Sequence, residues 1–401
     1  MTPELVGVRF LITHTLVQDI MGSTVMVLEL AEYLQASGAD VVVHAAHAGP
    51  PLSDEFAARG IRVVIDPDEL APDDFDYVWV NSQVLPPNFL EHGGGIRPVF
   101  IFNHMSASPL APDEHPYIYE LEQHMASLSV SVSEETRRRL RAYFDEPPPD
   151  ALYPNPAPMG FCELERSHAG RPSRFLMVSN HHCPELDDAR ELLLAAGCHV
   201  ERWGRGREEY ALLTPQALTR FDAVISIGKT VQYCLVSSTP IFVYDHFGGF
   251  GYLSQENYEV ARRRNFSGRG GLRLDGERIA HDLIYDYERA VGYQLAHRPA
   301  FIEQFAINDV VARVLAQVTP REVVLPQALR SASWSAETFG ARAYRWWGEL
   351  DQAQRRIAQL AGENQHLRDQ LDAVLASRSF RLGYGAMRRL DAMRKRLDAW
   401  R

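Results

Sequence analysis

Lysine is almost missing from this chain. Lys229 and Lys395 stand against 39 arginines, the remainder of 41 basic residues. A chain that otherwise carries its positive charge on guanidinium keeps a lysine at 229, which hints at a specific role there. Cysteine is also scarce. Cys162, Cys183, Cys198 and Cys234 form no C-x-x-C pair and no finger spacing, which excludes a disulfide scaffold or a zinc finger and predicts reduced thiols in a cytoplasmic protein. No stretch approaches ~20 uninterrupted apolar residues, so no transmembrane helix is expected. Glu4 and Arg9 flank the first short apolar run and no small-residue cleavage site follows it, so a signal peptide is not expected either. A basic excess is lacking too. The net charge is −11, which argues against a nucleic-acid-binding surface.

What is present is the make-up of a folded globular chain, 46% hydrophobic and 23% charged. At 401 residues it exceeds the ~250–300 at which single cores stop growing, so two domains and an appendage are expected. Charge is unevenly spread. Residues 377–401 hold eight basic and two acidic side chains, a net of +6, which leaves −17 for the first 376.

The first third alternates strand and helix. Val6–Thr13 is an apolar run ending in a polar loop, 13–22. Ser23–Ser37 spaces Val27, Leu30, Ala31 and Leu34 as a helix does, and Gly38 ends it where a C-terminal glycine is favoured. Val41–Val43, Val63–Ile65, Tyr77–Val80, Val99–Phe102 and Ser129–Val132 are mostly continuous apolar runs. Continuous runs suit strands buried on both faces of a parallel sheet. The proline-rich stretch 146–159 reads as a hinge, after which the alternation restarts and continues to residue 318. Two doubly wound α/β domains are therefore predicted.

Farther on, Leu350, Ile357, Asn364 and Leu371 fall seven apart, with Ala353, Leu360, Leu367 and Val374 at the second apolar heptad position. That is a coiled-coil pattern, and an asparagine on the seam favours a fixed parallel register. The alternative is one long helix folded back on the body. Beyond it, Ala386, Leu390, Met393, Leu397 and Trp400 form an apolar stripe among Arg388, Arg389, Arg394, Lys395 and Arg396. Such a helix suits either the interface of an anionic membrane or plain solvent.

Ligands of open parallel sheets bind beyond the carboxyl ends of strands, so the loops after each strand are where chemistry is expected. Gly22 and Ser23 open the first helix, whose free amides suit an anion or sugar hydroxyls. His104, at the end of the fifth run, has the residue type to take a proton from a hydroxyl, and His14 competes for that role. In the second domain, Gly228, Lys229, Thr230 and Gln232 follow a strand at a helix start, a place to neutralise a diphosphate. Asp245 and His246 end another strand, before Gly248 and Gly249, which leave room for backbone to approach a ligand. Arg269 lies on a third glycine-rich turn, with a guanidinium suited to phosphate. No D-x-D follows a strand: Asp74-Phe-Asp76 precedes one. The adjacent His181, His182 and Cys183 diverge in direction, so no metal site is expected.

In this order, these cues resemble a GT-B-fold glycosyltransferase, two facing Rossmann-like domains, over roughly residues 6–318. The stretch from Gly22 to Val43 resembles the loop-helix-strand opening of such enzymes. Ser131-Val-Ser133-Glu resembles their "vSe" strand end, and Tyr153-Pro-Asn155 the "vipN" start of the hinge. Gly228 through Pro240 to Asp245 and Gly249 resembles the donor-binding core, and Ser377-Arg-Ser-Phe-Arg-Leu-Gly383 a tail seen on polysaccharide-assembly transferases. One departure stands out. The family's usual glutamate seven residues before the core proline is Tyr233 here, and its partner is Ile225. The retaining-enzyme pair is absent, so retention or inversion stays open.

The resemblance implies an acceptor domain over 1–158 and a nucleotide-sugar donor domain over 159–319. A linker over 320–342, a coiled coil over 343–376 and a basic tail over 377–401 would follow. It implies transfer of a sugar from a nucleoside diphosphate to a glycan or lipid-linked acceptor, with no metal and no cofactor beyond the donor. Homodimerisation through 343–375, and a cytoplasmic place with peripheral contact to anionic membrane, are further expectations. A non-catalytic scaffold of the same fold, acting through its coil, is the alternative, and a nucleotide-sugar epimerase a third option.

Overall fold

The computed structural model describes residues 5–91, 97–106, 117–320 and 323–398. Its first sheet comprises β1 (Arg9–Val17), β2 (Asp40–Ala48), β3 (Arg62–Val64), β4 (Tyr77–Asn81), β5 (Val99–His104), β6 (Ala126–Ser131) and β7 (Asp150–Leu152). The order is β3-β2-β1-β4-β5-β6-β7, every neighbour parallel. Phe10, Leu11 and Ile12 of β1, an inner strand, are wholly buried, because helices cover both faces of such a sheet. Helix Gly22–Ala36 buries Met26, Val27, Leu30, Ala31 and Leu34 against it.

The second sheet holds β8 (Arg174–Val178), β9 (His199–Trp203), β10 (Ala223–Ser226), β11 (Ile241–Asp245) and β12 (Gly248–Tyr252), in the order β12-β11-β10-β8-β9. Only β12 runs antiparallel, against β11. The chain crosses between the two halves twice, and the crossings touch each other. Ala157 donates its N–H to Phe305 O at 2.7 Å and accepts from Ile307 N at 3.0 Å. Helix Ile307–Leu315 then buries Ile307, Val310, Val311 and Val314 in the first domain's core, beside Leu34 and Tyr153. The chain thus ends its second Rossmann-like half by packing on the first.

The differences from the sequence reading have local causes. β1 runs on to Val17, so Thr13 and His14 lie inside a strand and not in a loop. β7 arises in the proline-rich stretch, where Asp150 takes paired hydrogen bonds from Arg137 and Arg141. The presumed linker is helical from Gln327 onward. Ser333 and Glu337 are buried there, and Trp334 Nε1 donates to Glu91 at 2.9 Å.

By packing, the chain divides into Met1–Arg345 and Trp346–Arg401. The second unit consists of the rest of helix Gln327–Ala376 and helix Arg378–Asp398. Its seam residues Leu350, Ile357, Leu360, Leu367, Leu371 and Val374 are all exposed. No helix among the described residues is long and apolar enough to cross a membrane.

Candidate functional site

Strand order decides where each sheet opens. From β8 the chain goes out to β9, then returns to the other side of β8 as β10. Loops that leave in opposite directions splay apart, and a crevice forms beyond the carboxyl ends of those two strands. In the first sheet the same reversal falls between β1 and β4. A cavity of about 270 Å3 is built from both domains. The loop after β1 supplies Ile20, Met21 and Gly22. The loop after β8 supplies Ser179, Asn180 and His181, and the turn after β10 supplies Gly228, Lys229 and Thr230.

Two helix starts therefore open on one space. Gly22 begins the first helix, and Gly228 caps helix Lys229–Val236 with φ of +60°, a backbone state that favours glycine. Helix N-termini present free N–H groups and partial positive charge, so they attract anions. The loops also clasp each other across the domains. Asn180 Nδ2 donates to Ile20 O at 3.0 Å, and Ile20 N donates to Tyr210 Oη at 2.9 Å. Tyr210 donates to Asp19 at 3.1 Å, and Arg205 is ion-paired with the same carboxylate.

Asp245 closes one wall of the cavity and is 1% exposed. It accepts from Ser179 Oγ at 2.9 and 3.0 Å, from His181 Nδ1 at 2.9 Å and from the His246 N–H at 2.8 Å. Burial opposes its ionisation, but the hydrogen bond and charge of His181, helped by the other donors, hold the carboxyl below the usual aspartate value. His246 lies with its ring 3.8 Å from that of His181, and burial followed by His181 pushes its imidazole down. Nitrogen and oxygen atoms of His181, Asp245 and His246 all lie within 4.8 Å of one another, close enough to share an ion. His181 thus belongs with residues 64 positions away, and not with its neighbours His182 and Cys183.

Other candidates have different company. Lys229 lines the cavity, but its side chain is 6% exposed and its ammonium pairs with Glu29 of the first domain and donates to Pro156 O. Tyr233 donates to the same Glu29 and lies 5.1 Å beneath the ammonium. Burial pushes Lys229 down and Glu29 up, each opposed by its partner's charge. Arg269 lies outside the cavity, bonded to Glu135 of the first domain at 2.7 Å. These two cations bridge domains, so neither is free to neutralise a ligand in this state.

At Gly248 and Gly249 the space a side chain would take is filled by the protein's own backbone. A Cβ on Gly249 would fall 2.0 Å from Val243 O, and one on Gly248 would fall 2.7 Å from Leu272 O. Gly249 N is already bonded to Leu272 O at 2.9 Å. Gln232 is buried and lines a separate cavity of about 480 Å3 beside the hinge, with Ser133, Pro154, Asn265 and Arg313. Ser23 is half-buried and outside the 270 Å3 cavity. His104 and His14 are each 1% exposed, in the first sheet. His104 Nε2 faces Glu122 at 2.9 Å, and His14 Nδ1 faces Ser82 Oγ at 3.0 Å. Burial lowers His14 to about 4. Neither lines the shared cavity.

The structure therefore gathers Gly22, Gly228, Lys229, Thr230 and Asp245 around one space and adds Asn180 and His181; sequence reasoning missed both, and it missed Glu29, the partner of Lys229, as well. Only the strand-end position of His181 signalled it in advance.

No family model matches this sequence, and no curated protein matches it. Solved structures do. A glycosyltransferase from Rickettsia africae superposes with a TM-score of 0.51 at 12% identity, over 77% of this chain and 97% of that one. The Anabaena protein HepE, solved with UDP and glucose, gives 0.49 at 11% identity over 78% and 100%. MurG from Acinetobacter baumannii gives 0.46 at 12% over 77% and 99%. Two Rossmann-like halves facing across a cleft, on the pattern of the Rickettsia enzyme, make this a GT-B glycosyltransferase-like fold.

Proposed function

We propose that this chain is a glycosyltransferase moving a sugar from a nucleoside diphosphate to a glycan or lipid-linked acceptor in cell-surface polysaccharide assembly. One observation carries the reading: two helix N-termini and the His181–Asp245 pair open on a single cavity at the switch point of the second sheet. An anionic diphosphate suits the helix ends, and hydroxyls suit the polar loop after β8. Donor binding is proposed to need no metal, a reading supported by the lack of a D-x-D motif in the second domain. The chain is proposed to act in the cytoplasm as a dimer through 343–375, with the basic tail resting on an anionic membrane face. Calorimetry of the full chain with UDP, GDP and ADP tests the reading. Saturable 1:1 binding of one of them is expected, and none with any would remove the transferase assignment.

A second reading has its own observation. The internal pairing of Lys229 with Glu29 and of Arg269 with Glu135 leaves the cleft with little free positive charge. That favours a scaffold of the same fold that binds no nucleotide, which is the outcome the calorimetry separates.

A further inference from the structure

Another cavity, of about 290 Å3, lies beside the first sheet and shares no residue with the one between the halves. It is lined by β2, by the loops after β3 and β4, and by residues 334–345 of the long helix. Those loops leave the sheet at the same end as the loop after β1, which enters the cleft. The volume is near the lower end of small-ligand sites, ~300–1,000 Å3.

Its innermost polar group is His44, which is 2% exposed. The ring Nδ1 faces Val64 O at 3.0 Å, and a carbonyl only accepts, so Nδ1 carries the proton and Nε2 the lone pair. Burial pulls the imidazole down to about 4, so it stays neutral. Nε2 has no partner among the described residues, and a buried polar group without one is costly. The cavity is thus offered an acceptor that the protein itself leaves unused.

The walls suit a ring with hydroxyls on its edge. Trp334 is 39% exposed, and its Nε1–H is tied to Glu91 at 2.9 Å, which holds the indole in place. Asp66 and Asp68 add acceptors, and Arg342 and Arg345 add donors. With Glu91 the lining holds three carboxylates against two guanidinium groups, a net of −1. A cation drawn to the indole would meet the two arginines, and an anion would meet the three carboxylates. A neutral ligand that needs donors and acceptors together, around an apolar face, meets neither penalty.

We infer that this cavity is a saccharide-binding site separate from the cleft. One sugar unit of a neutral glycan lies against Trp334, with its hydroxyls on His44 Nε2, Asp66 and Asp68. The rest of the glycan stays outside, at the end of the sheet that also bears the cleft. The inference goes beyond the transferase reading and stands without it, since a non-catalytic scaffold would use the site equally well.

The test is saturation-transfer NMR of the full chain, titrated with glucose, galactose, mannose and N-acetylglucosamine, and with choline as a cationic probe. At least one sugar should bind saturably. Trp334→Ala removes the aromatic wall and Ala341→Phe fills the cavity from the helix, so each should weaken that sugar at least ~10-fold. Asp68→Ala changes an exposed side chain, so it should fold whatever the helix variants do, and weaken binding at least ~3-fold. No binding of any sugar overturns the proposal. So does sugar binding that Ala341→Phe and Asp68→Ala leave unchanged, because the sugar would then sit elsewhere. Saturable choline without sugar would make this an ammonium site and overturn it too. A chain that binds sugar here but no nucleoside diphosphate overturns the transferase reading and leaves this one standing.

Discussion

Lys229, which starts a buried helix of the second domain, is ion-paired with Glu29 in the middle of the first helix of the other domain. The pair is almost wholly out of water, at 6% and 10% side-chain exposure, and Tyr233 adds a third hydrogen bond to it. Two helices from different halves are thereby locked beside the cleft. Glu29 thus places a negative charge beside a helix start, where anions are favoured.

Removing one partner of a buried pair strands the other charge, at ~3–5 kcal/mol. Lys229→Met should therefore cost about 3 kcal/mol, the lower end, because Glu29 can take up a proton in a site that already favours its neutral form. Adding Glu29→Gln should restore most of that loss, since two neutral groups strand no charge. Urea unfolding of the two single variants and the double variant measures the coupling. Additive losses would show that the pair does not hold the domains together.

Glu337 sets a pH dependence. It is 3% exposed, accepts from Leu85 N at 3.0 Å, and burial pushes its carboxyl up to about 8. The folded chain thus holds a proton that the unfolded chain releases above ~4.3. Its contribution is complete below that value and is lost as pH rises through about 8, at up to ~1.4 kcal/mol per unit between. Glu337→Gln keeps an uncharged acceptor for Leu85 N. The variant should gain thermal stability over wild type from pH 6 to 9, with no gain at pH 4. Parallel curves for the two proteins across that range would place the Glu337 carboxyl at its ordinary value.

Much of this was readable in advance, for stated reasons. β2, β4, β5, β8, β10 and β11 announce themselves as apolar runs because both faces are covered. β7 does not, because it depends on Asp150 meeting Arg137 and Arg141. β12 does not either, because three of its five residues are glycine. At the site, Gly22, Gly228, Lys229 and Asp245 were legible from the strand-end rule. The partners Glu29 and His181 were not, since 200 and 64 residues separate them from Lys229 and Asp245. His104 occupies the expected strand end, yet Glu122 arrives from helix Tyr119–Met125 and buries it.

Gly249 distinguishes packing from ligand access. Its added Cβ would meet Val243 O at 2.0 Å and Tyr244 Cα at 2.7 Å, both backbone atoms that cannot rotate away. Gly249→Ala should destabilise the second domain by ~1–3 kcal/mol through forced backbone shifts. The loss should appear in unfolding without nucleotide as well as with it. A variant of wild-type stability that merely binds nucleotide more weakly would return this glycine to the ligand site.

The last prediction concerns the second unit. Leu350, Ile357, Leu360, Leu367, Leu371 and Val374 are between 44% and 66% exposed on one long helix. Burying one such side chain is worth ~1.5–3 kcal/mol, so the bare seam is a strong driving force for pairing. A second copy fits it best. In a parallel register Asn364 meets Asn364, and Glu363 at a flanking position faces Arg368 of the other helix, opposite charges at the edge of the seam. An antiparallel pair would set each Asn364 against an apolar residue and lose that exchange. Dimerisation also doubles the basic helix Arg378–Asp398, whose Met387, Leu390 and Met393 are exposed beside Arg388 and Lys395. Two weak membrane contacts on one particle act together. The full chain should therefore be a dimer at micromolar concentration and pellet with vesicles containing phosphatidylserine. A chain ending at Arg345, the boundary of the first unit, should be monomeric and stay in solution. Asn364→Leu should keep the coil associated but admit other oligomers, since the register-fixing amide is gone. Light scattering decides the first part: a full-length monomer would mean the seam is covered within one chain. Equal pelleting of the two chains would remove the membrane role while leaving the dimer standing.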